Sequence, residues 1–306
     1  FGVEGVVDRF LQIEPRILIT CDYYYYNGKK INILQKVDEI LKKIPSIEKV
    51  LVFSYDKKEK INKKNYYNFD EILKESKLDE IFEKYEFNHP IYILYSSGTT
   101  GVPKCIVHGA GNALIEQKKE LSIHCDVKDK DRLFYFTTTG WMMWNWQVAA
   151  LSCGATIYLY DGSPFYPKLD ILIEYCSENK FTLFGVSAKY LDHLKNEKYN
   201  ASKFDLSNLK TITSTGSPLV AESFEYVYKN IKCDVHLSSI SGGTDVVGSL
   251  VIGNIFQSVY AGEIQGSSLG IEIDIFDEKG NGLPNDEKGE LVVKRPFPSM
   301  PIMFWE

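Results

Sequence analysis

The sequence predicts an α/β protein in which stacked, mostly parallel sheets are flanked by helices. Two observations support this fold class. Short apolar runs alternate with amphipathic stretches along most of the chain, which is the pattern of βαβ units. Beyond about residue 250 the pattern changes to alternating strands around a turn rich in Gly, Asn, Pro and Asp, which indicates the start of a β-rich subdomain.

The elements of the first half of the chain follow from these patterns in order. We predict strands at 16–20, 50–55, 90–95 and 104–109, with helices at 31–44 and 111–124. The Lys/Asn-rich segment 56–68 lies between two of these strands and is predicted to be a solvated loop without a ligand.

The second half continues the alternation and then departs from it. We predict strands at 155–160, 181–186 and 209–216, and a β-hairpin over 270–295. We therefore divide the chain into an α/β part at 1–250, incomplete at its start, and a partial β-rich subdomain at 251–306.

Composition and charge restrict the class of partner. The 306 residues are 44% hydrophobic and carry a net charge of -6, so the chain can bury a large core and presents no overall basic surface to nucleic acid. We find no apolar run of about 18 residues, the length that predicts a membrane span. The six cysteines are scattered without metal-ligand spacing, which predicts reduced thiols and a cytoplasmic location.

The segment "SSGTTGVPK" at 96–104 directly follows a predicted strand. Glycines permit backbone N–H groups to turn towards a phosphate, hydroxyls add donors, and Lys104 adds positive charge. The P-loop is a poor match, because Val102 and Pro103 separate the lysine from the glycine and a strand follows instead of a helix. A hairpin turn without a ligand remains the other interpretation. The lone His108 is predicted to be structural.

Residues 95–104 resemble the phosphate-binding signature of the adenylate-forming acyl-CoA synthetases. Further segments agree in order and spacing: "TTTGWMMWNW" at 137–146, "GATIYLYDGSPFYP" at 154–167, "STGSPL" at 214–219, "SISGGTD" at 239–245 and "GELVVKRPFPSMP" at 289–301. Together they resemble the branch of that family that ligates acetoacetate to coenzyme A. The resemblance implies the fold of the family's large N-terminal domain.

The resemblance also implies a set of ATP-binding residues. They are Ser96, Ser97, Gly98, Thr99, Thr100, Gly101, Lys104, Gly216, Ser217, Pro218, Ser239, Ile240, Ser241, Gly242, Gly243 and Thr244. The implied catalytic residues are Lys104 at the β- and γ-phosphates, Thr244 at the α-phosphate, and Asp245 as the Mg²⁺ ligand. This chain departs from the family pattern at Asp245, where glutamate is usual, and at Ser217, where an acidic residue is common.

Three residues are the candidates for the acid-binding pocket. The resemblance places Trp141 and Met142 in its wall, although an apolar stripe of this kind is more often part of a core. Gly242 stands where acetate-specific relatives have tryptophan, so the resemblance implies room for a longer acyl chain.

The implied reaction joins acetoacetate, ATP and coenzyme A into acetoacetyl-CoA, with AMP and pyrophosphate as the other products. Mg²⁺ is the implied metal, and the partners are a small carboxylic acid, ATP and CoA. Another short- or medium-chain acyl-CoA synthetase and a non-catalytic nucleotide-binding relative remain as alternatives. We expect the chain to be an internal fragment without the family's C-terminal lid domain, whose lysine serves adenylation, and therefore to be inactive alone.

Overall fold

The computed structural model describes residues 2–56, 61–75, 82–96 and 101–305. Its helices are α1 (Val3–Ile13), α2 (Leu34–Lys43), α3 (Phe69–Glu75), α4 (Ala110–Lys119), α5 (Met142–Ala149), α6 (Ile171–Glu178), α7 (Ala188–Asn196) and α8 (Ala221–Asn230). A π-helical turn, Glu120–His124, continues α4, and a 3-10 turn, Ala150–Cys153, continues α5.

Strands account for most of the remaining regular structure. They are β1 (Ile17–Cys21), β2 (Tyr23–Tyr26), β3 (Lys29–Asn32), β4 (Lys49–Phe53), β5 (Tyr66–Asn68), β6 (Pro90–Tyr95), β7 (Cys105–Gly109), β8 (Arg132–Tyr135), β9 (Thr156–Tyr158), β10 (Leu183–Ser187), β11 (Thr211–Thr215), β12 (His236–Ser239), β13 (Ser241–Gly243), β14 (Gly248–Ile252), β15 (Gly266–Ser267), β16 (Ile273–Phe276), β17 (Glu290–Val293) and β18 (Met303–Phe304).

The central sheet has the strand order β12-β11-β10-β8-β9, and all of its pairs are parallel. Parallel strands need crossover connections, which helices α6, α7 and α8 provide. Buried aromatic and aliphatic side chains fill the space between these helices and the sheet, Phe134, Phe184 and Phe224 among them. The predicted α/β fold with a parallel sheet and flanking helices is confirmed.

A smaller parallel sheet, β1-β4-β5, packs with α1 and α2 around its own core. The structure corrects two details here. Residues 66–68 form β5 instead of a loop, because Tyr66 is buried and its hydroxyl donates to Asp38 Oδ1 at 2.7 Å. The predicted helix at 31–44 begins only at Leu34, since Ile31 pairs with Tyr24 in the β2-β3 hairpin.

Strands β6 and β7 form an antiparallel hairpin that β18 extends. Helix α1 lies against this hairpin. Gln12 Nε2 donates to the carbonyl of Pro103 at 2.9 Å, and the rings of Phe10 and Tyr95 have centroids 6.3 Å apart. These contacts join α1 to Pro103, directly before Lys104, and to Tyr95 at the end of β6.

Two antiparallel units follow the parallel sheet, β13-β14-β15 and β16-β17. The predicted hairpin at 270–295 is correct, with Ile273 paired to Val293. Strand β14 crosses residue 250, and the division of the chain at that point stays a prediction. Among the helices that the structure describes, none has the length and apolar character of a membrane span.

Candidate functional site

The carboxyl ends of β11 and β12 meet at one edge of the central sheet. Thr215 Oγ1 donates to the carbonyl of Ile240 at 2.9 Å, and Ile240 N donates to the carbonyl of Ser214 at 2.8 Å. Residues 216–218 follow β11, and residues 240–243 follow β12. Parallel α/β sheets bind ligands in the crevice outside the carboxyl ends of their strands, so both predicted segments stand where a ligand is expected.

Two glycines leave space in these segments. Gly216 has a φ of +89°, a conformation that favours glycine, and a Cβ at this position would meet no atom within 4 Å. A Cβ at Gly243 would also face open space. The backbone is therefore accessible to a ligand at both places.

The turn 244–247 joins β13 to β14 and carries the predicted Thr244 and Asp245. Its geometry is held from two sides. The carbonyl of Thr244 lies 2.7 Å from His108 Nε2, and the carbonyl of Val247 accepts from Gln117 Nε2 at 3.2 Å. Val247 is buried with a φ of +49°, which is uncommon for a β-branched residue and requires such support.

His108 links this turn to the β6-β7 hairpin. Burial lowers the pKa of His108, and the hydrogen bond to Thr244 and the charge of Asp245 oppose that shift. Because a carbonyl only accepts, Nε2 must carry the proton that it donates to Thr244. The structural role predicted for His108 agrees with this contact.

The ends of the predicted phosphate loop are held together by the hairpin. Ser96 N donates to the carbonyl of Lys104 at 3.1 Å, and Lys104 N lies 3.4 Å from Ser96 Oγ. Gly101 has a φ of +97°, and the Lys104 side chain is exposed. Residues Ser97, Gly98, Thr99 and Thr100 lie outside the described residues.

A cavity of about 760 Å³ lies between these segments. Predicted residues that line it are Ser96, Trp141, Met142, Gly216, Ser217, Pro218, Ser239, Ile240, Ser241, Gly242, Gly243, Thr244 and Asp245. Lys104 and Gly101 do not line it, although Ser96, the hairpin partner of Lys104, does. The structure thus brings four separate sequence segments around one cavity of ligand size.

One part of the cavity wall is formed by α5 and the residue before it, and the side chains that they contribute are apolar. Trp141 is 65% exposed and precedes the helix, whereas Met143 and Trp146 belong to the buried core and also line the cavity. The stripe at 137–146 therefore contributes to both core and cavity. Sequence reasoning missed Met143, Trp146 and the buried carboxyl of Glu120, all of which line the cavity.

Gly242 lies where the cavity approaches β14. A Cβ on Gly242 would be 2.2 Å from the carbonyl oxygen of Gly248 and 2.4 Å from the Cα of Ser249. Any larger residue at 242 therefore requires movement of the β14 backbone. The role of Gly242 in acyl length stays a prediction.

The donor set suits Mg²⁺ held jointly by the protein and phosphate. Asp245 is an exposed carboxylate in the cavity lining, and the Thr244 hydroxyl is its neighbour. Mg²⁺ commonly binds one or two carboxylates together with phosphate oxygens and water. Within the described ranges no cluster of three or more His, Cys, Asp or Glu side chains is arranged for a metal ion.

Fold and site together define an α/β protein with a ligand cavity at the carboxyl edge of a parallel sheet, enclosed by glycine-rich segments. The chain belongs to the AMP-binding enzyme family, whose model matches residues 1–301.

Several characterised proteins are similar over the whole chain. Acetoacetyl-coenzyme A synthetase of Rhizobium meliloti (strain 1021) is 47% identical over 308 residues, which cover 100% of this chain and 47% of the relative. The acetoacetyl-CoA synthetase of Xenopus tropicalis is 43% identical over 315 residues, with the same coverage. The solved acetoacetyl-CoA synthetase from Streptomyces lividans superposes with a TM-score of 0.93 at 38% identity, covering 100% of this chain and 47% of that one. The chain spans about half the length of the curated relatives it matches.

Proposed function

We propose that this chain provides the nucleotide- and acid-binding part of an ATP-dependent acid–CoA ligase that uses acetoacetate. The observation that carries the proposal is the shared cavity, which joins the end of the β6-β7 hairpin, the segments after β11 and β12, and the turn with Asp245. Membership of the AMP-binding family and the names of the similar proteins support the same activity.

In the first step, an oxygen of the acid's carboxylate attacks the α-phosphorus of ATP, and the bond to the β-phosphate breaks. Negative charge on the leaving pyrophosphate must be neutralised. We assign this role to the Lys104 ammonium, with the Thr244 hydroxyl at the α-phosphate. Mg²⁺ would be held by Asp245 and would offset further phosphate charge. In the second step the thiol of CoA displaces AMP and forms the thioester.

The adenine base would lie between residues 216–218 and 239–243. Gly216 and Gly243 leave the backbone open on the two sides, so a flat ring can approach it closely. The acid would extend towards Trp141 and Met142, where the cavity is apolar. This orientation brings the carboxylate to the α-phosphate beside Thr244, because both segments line the same cavity.

The proposed activity is tested with the protein expressed from its complete reading frame. Pyrophosphate release and thioester formation are measured with acetoacetate, butyrate, propionate and acetate as separate substrates. We expect release that depends on both ATP and acid, with acetoacetate giving the highest kcat/KM. A higher value for another acid would favour the short- or medium-chain alternative. Tight ATP binding without turnover on any acid would favour the non-catalytic alternative.

The cytoplasmic location stays a prediction.

A further inference from the structure

Glu120 begins the π-helical turn that continues α4, and its side chain is almost completely buried. The turn is closed by Cys125 N, which donates to the Glu120 carbonyl at 3.0 Å. Such turns are rare and often occur at functional sites. The reaction proposed above assigns no role to Glu120, although this residue is among those that line the cavity.

The Glu120 carboxyl accepts hydrogen bonds from two elements that both contribute to the cavity lining. Oε2 accepts from Trp146 Nε1 of α5 at 2.8 Å. Oε1 accepts from the N–H of Ser249 in β14 at 2.7 Å and also from the Ser249 hydroxyl. The Ser268 hydroxyl, just after β15, lies 3.3 Å from the same oxygen. One side chain therefore joins the end of α4 to both α5 and β14.

Both of these elements are connected to residues that the acid is expected to meet. Helix α5 begins with Met142 and directly follows Trp141, and these two side chains are the proposed wall of the acid-binding part. In β14, Ser249 is the antiparallel partner of Gly242, which also lines the cavity. A Cβ at Gly242 would lie 2.4 Å from the Ser249 Cα, so β13 and β14 are in close contact here. A group that holds Ser249 therefore also holds Gly242.

The chemistry of the two donors requires an acceptor at each oxygen of Glu120. The indole N–H of Trp146 and the backbone N–H of Ser249 can donate but cannot accept. This requirement is the same whether or not a proton is shared with the neighbouring buried carboxyl of Glu116. Trp146 and Ser249 are both buried, and a buried donor that loses its acceptor is costly.

We propose that Glu120 is a positioning residue for the acid. Its two oxygens tie α5 to β14 and so fix the width of the acid-binding part of the cavity. The inference rests on the proposed function, because it takes the acid to lie beside Trp141 and Met142. Loss of one acceptor at Glu120 lets the two elements move relative to each other, and the acid then loses part of its contacts.

The segments proposed for ATP are held by a different set of hydrogen bonds. Thr215 Oγ1 donates to the Ile240 carbonyl at 2.9 Å, and His108 Nε2 lies 2.7 Å from the Thr244 carbonyl. A change at Glu120 should therefore raise KM for the acid far more than KM for ATP. A residue needed only for stability would not separate the two constants.

The test uses Glu120→Gln in the protein expressed from its complete reading frame. Glutamine has nearly the same shape, but its one oxygen cannot face both Trp146 and Ser249. Its N–H₂ group therefore meets a donor in either orientation. In the pyrophosphate-release assay we expect KM for acetoacetate to rise about tenfold and KM for ATP to change by less than about twofold.

A second substitution identifies the contact through which Glu120 acts. Trp146→Phe removes the indole N–H, so the N–H₂ group of the glutamine can point to that side without meeting a donor. Adding Glu120→Gln to Trp146→Phe should therefore raise KM for acetoacetate by no more than about twofold. The matched control is Asp131→Asn, which alters a buried carboxylate outside the cavity lining that accepts from Lys210 Nζ at 2.9 Å. Both KM values should stay unchanged in this control.

If Glu120→Gln does not fold, Ser249→Ala takes its place. It removes the hydroxyl donor, keeps the N–H, and should raise KM for acetoacetate about threefold without changing KM for ATP. Four results would overturn the inference: no rise in KM for acetoacetate, equal rises in both KM values, a loss confined to kcat, or a full effect of Glu120→Gln in the Trp146→Phe background. If the unmodified protein releases no pyrophosphate with any acid, the proposed function fails instead.

Discussion

Gly242 and Gly243 are adjacent glycines with opposite surroundings, and they give a sharp test of the site's packing. A Cβ at 242 would lie 2.2 Å from the Gly248 carbonyl oxygen and 2.4 Å from the Ser249 Cα. A Cβ at 243 would meet no atom within 4 Å. The change from glycine to alanine adds the same atoms in both variants, so their difference isolates the collision with β14.

The magnitude follows from the type of atom contacted. Both contacts of a Cβ at 242 are with backbone, which cannot move by a simple rotamer change. Overpacking of this kind typically costs about 1–3 kcal/mol, and we expect Gly242→Ala to fall near 3 kcal/mol. Gly243→Ala meets no obstacle, so we expect a change within about 0.5 kcal/mol.

Urea unfolding followed by circular dichroism measures both free energies on protein expressed from the complete reading frame. Gly242→Ala should also reduce acid activation, because Gly242 and Gly248 of β14 both line the cavity and a collision between them would change its shape. Equal stability of the two variants would refute the reasoning. It would show that β13 and β14 separate easily at this point.

Three further predictions concern charge, loop anchoring and pH. Lys104→Met should lower kcat/KM for acid activation by about 10²-fold or more through lost charge stabilisation. The exposed Lys118→Met should leave kcat/KM unchanged in the same assay. Gln12→Ala removes the 2.9 Å hydrogen bond to Pro103 and should weaken ATP binding about fivefold in calorimetry, with little change in unfolding free energy. Burial lowers the pKa of His108, His124 and His236 in the folded protein. The unfolded chain therefore binds more protons in acid, and the free energy of unfolding falls as the pH drops below about 6.5. Burial raises the pKa of Glu120 to about 8 in the folded protein. Its contribution to the free energy of unfolding is therefore complete below about pH 4.5 and is lost as the pH rises through 8. Urea unfolding across this range should therefore show greatest stability near about pH 6.5, and Glu120→Gln should flatten the alkaline decline.

Local sequence patterns were sufficient to predict much of the fold. The apolar run at 90–95 became β6 with the predicted bounds, and the hairpin at 270–295 formed because alternating strands flank a strong turn signal. The predicted loop was wrong at 66–68, where a strand directly follows a run of lysines and asparagines in the sequence. Tyr66 is buried there by contacts with residues distant in the sequence, including Asp38.

The loop at 96–104 was visible in the sequence because glycines and hydroxyls cluster in it, whereas the other segments of the candidate site were expected from the resemblance to the adenylate-forming family. Glu120 was not, since its neighbours come from three elements. In the sequence, Glu116 and Glu120 look like the charged face of an amphipathic helix. Only packing against Trp146 of α5 and Ser249 of β14 buries them beside the cavity.

Acetoacetate-dependent exchange of labelled pyrophosphate into ATP reports the first chemical step alone. It is therefore the most direct test of the proposal that this cavity binds ATP and the acid. For the protein expressed from its complete reading frame, we expect exchange that requires acetoacetate and Mg²⁺ and that drops by about two orders of magnitude in Lys104→Met. A folded protein that shows no exchange with any acid, or exchange that does not respond to that substitution, would contradict the assignment of this cavity to ATP and acid.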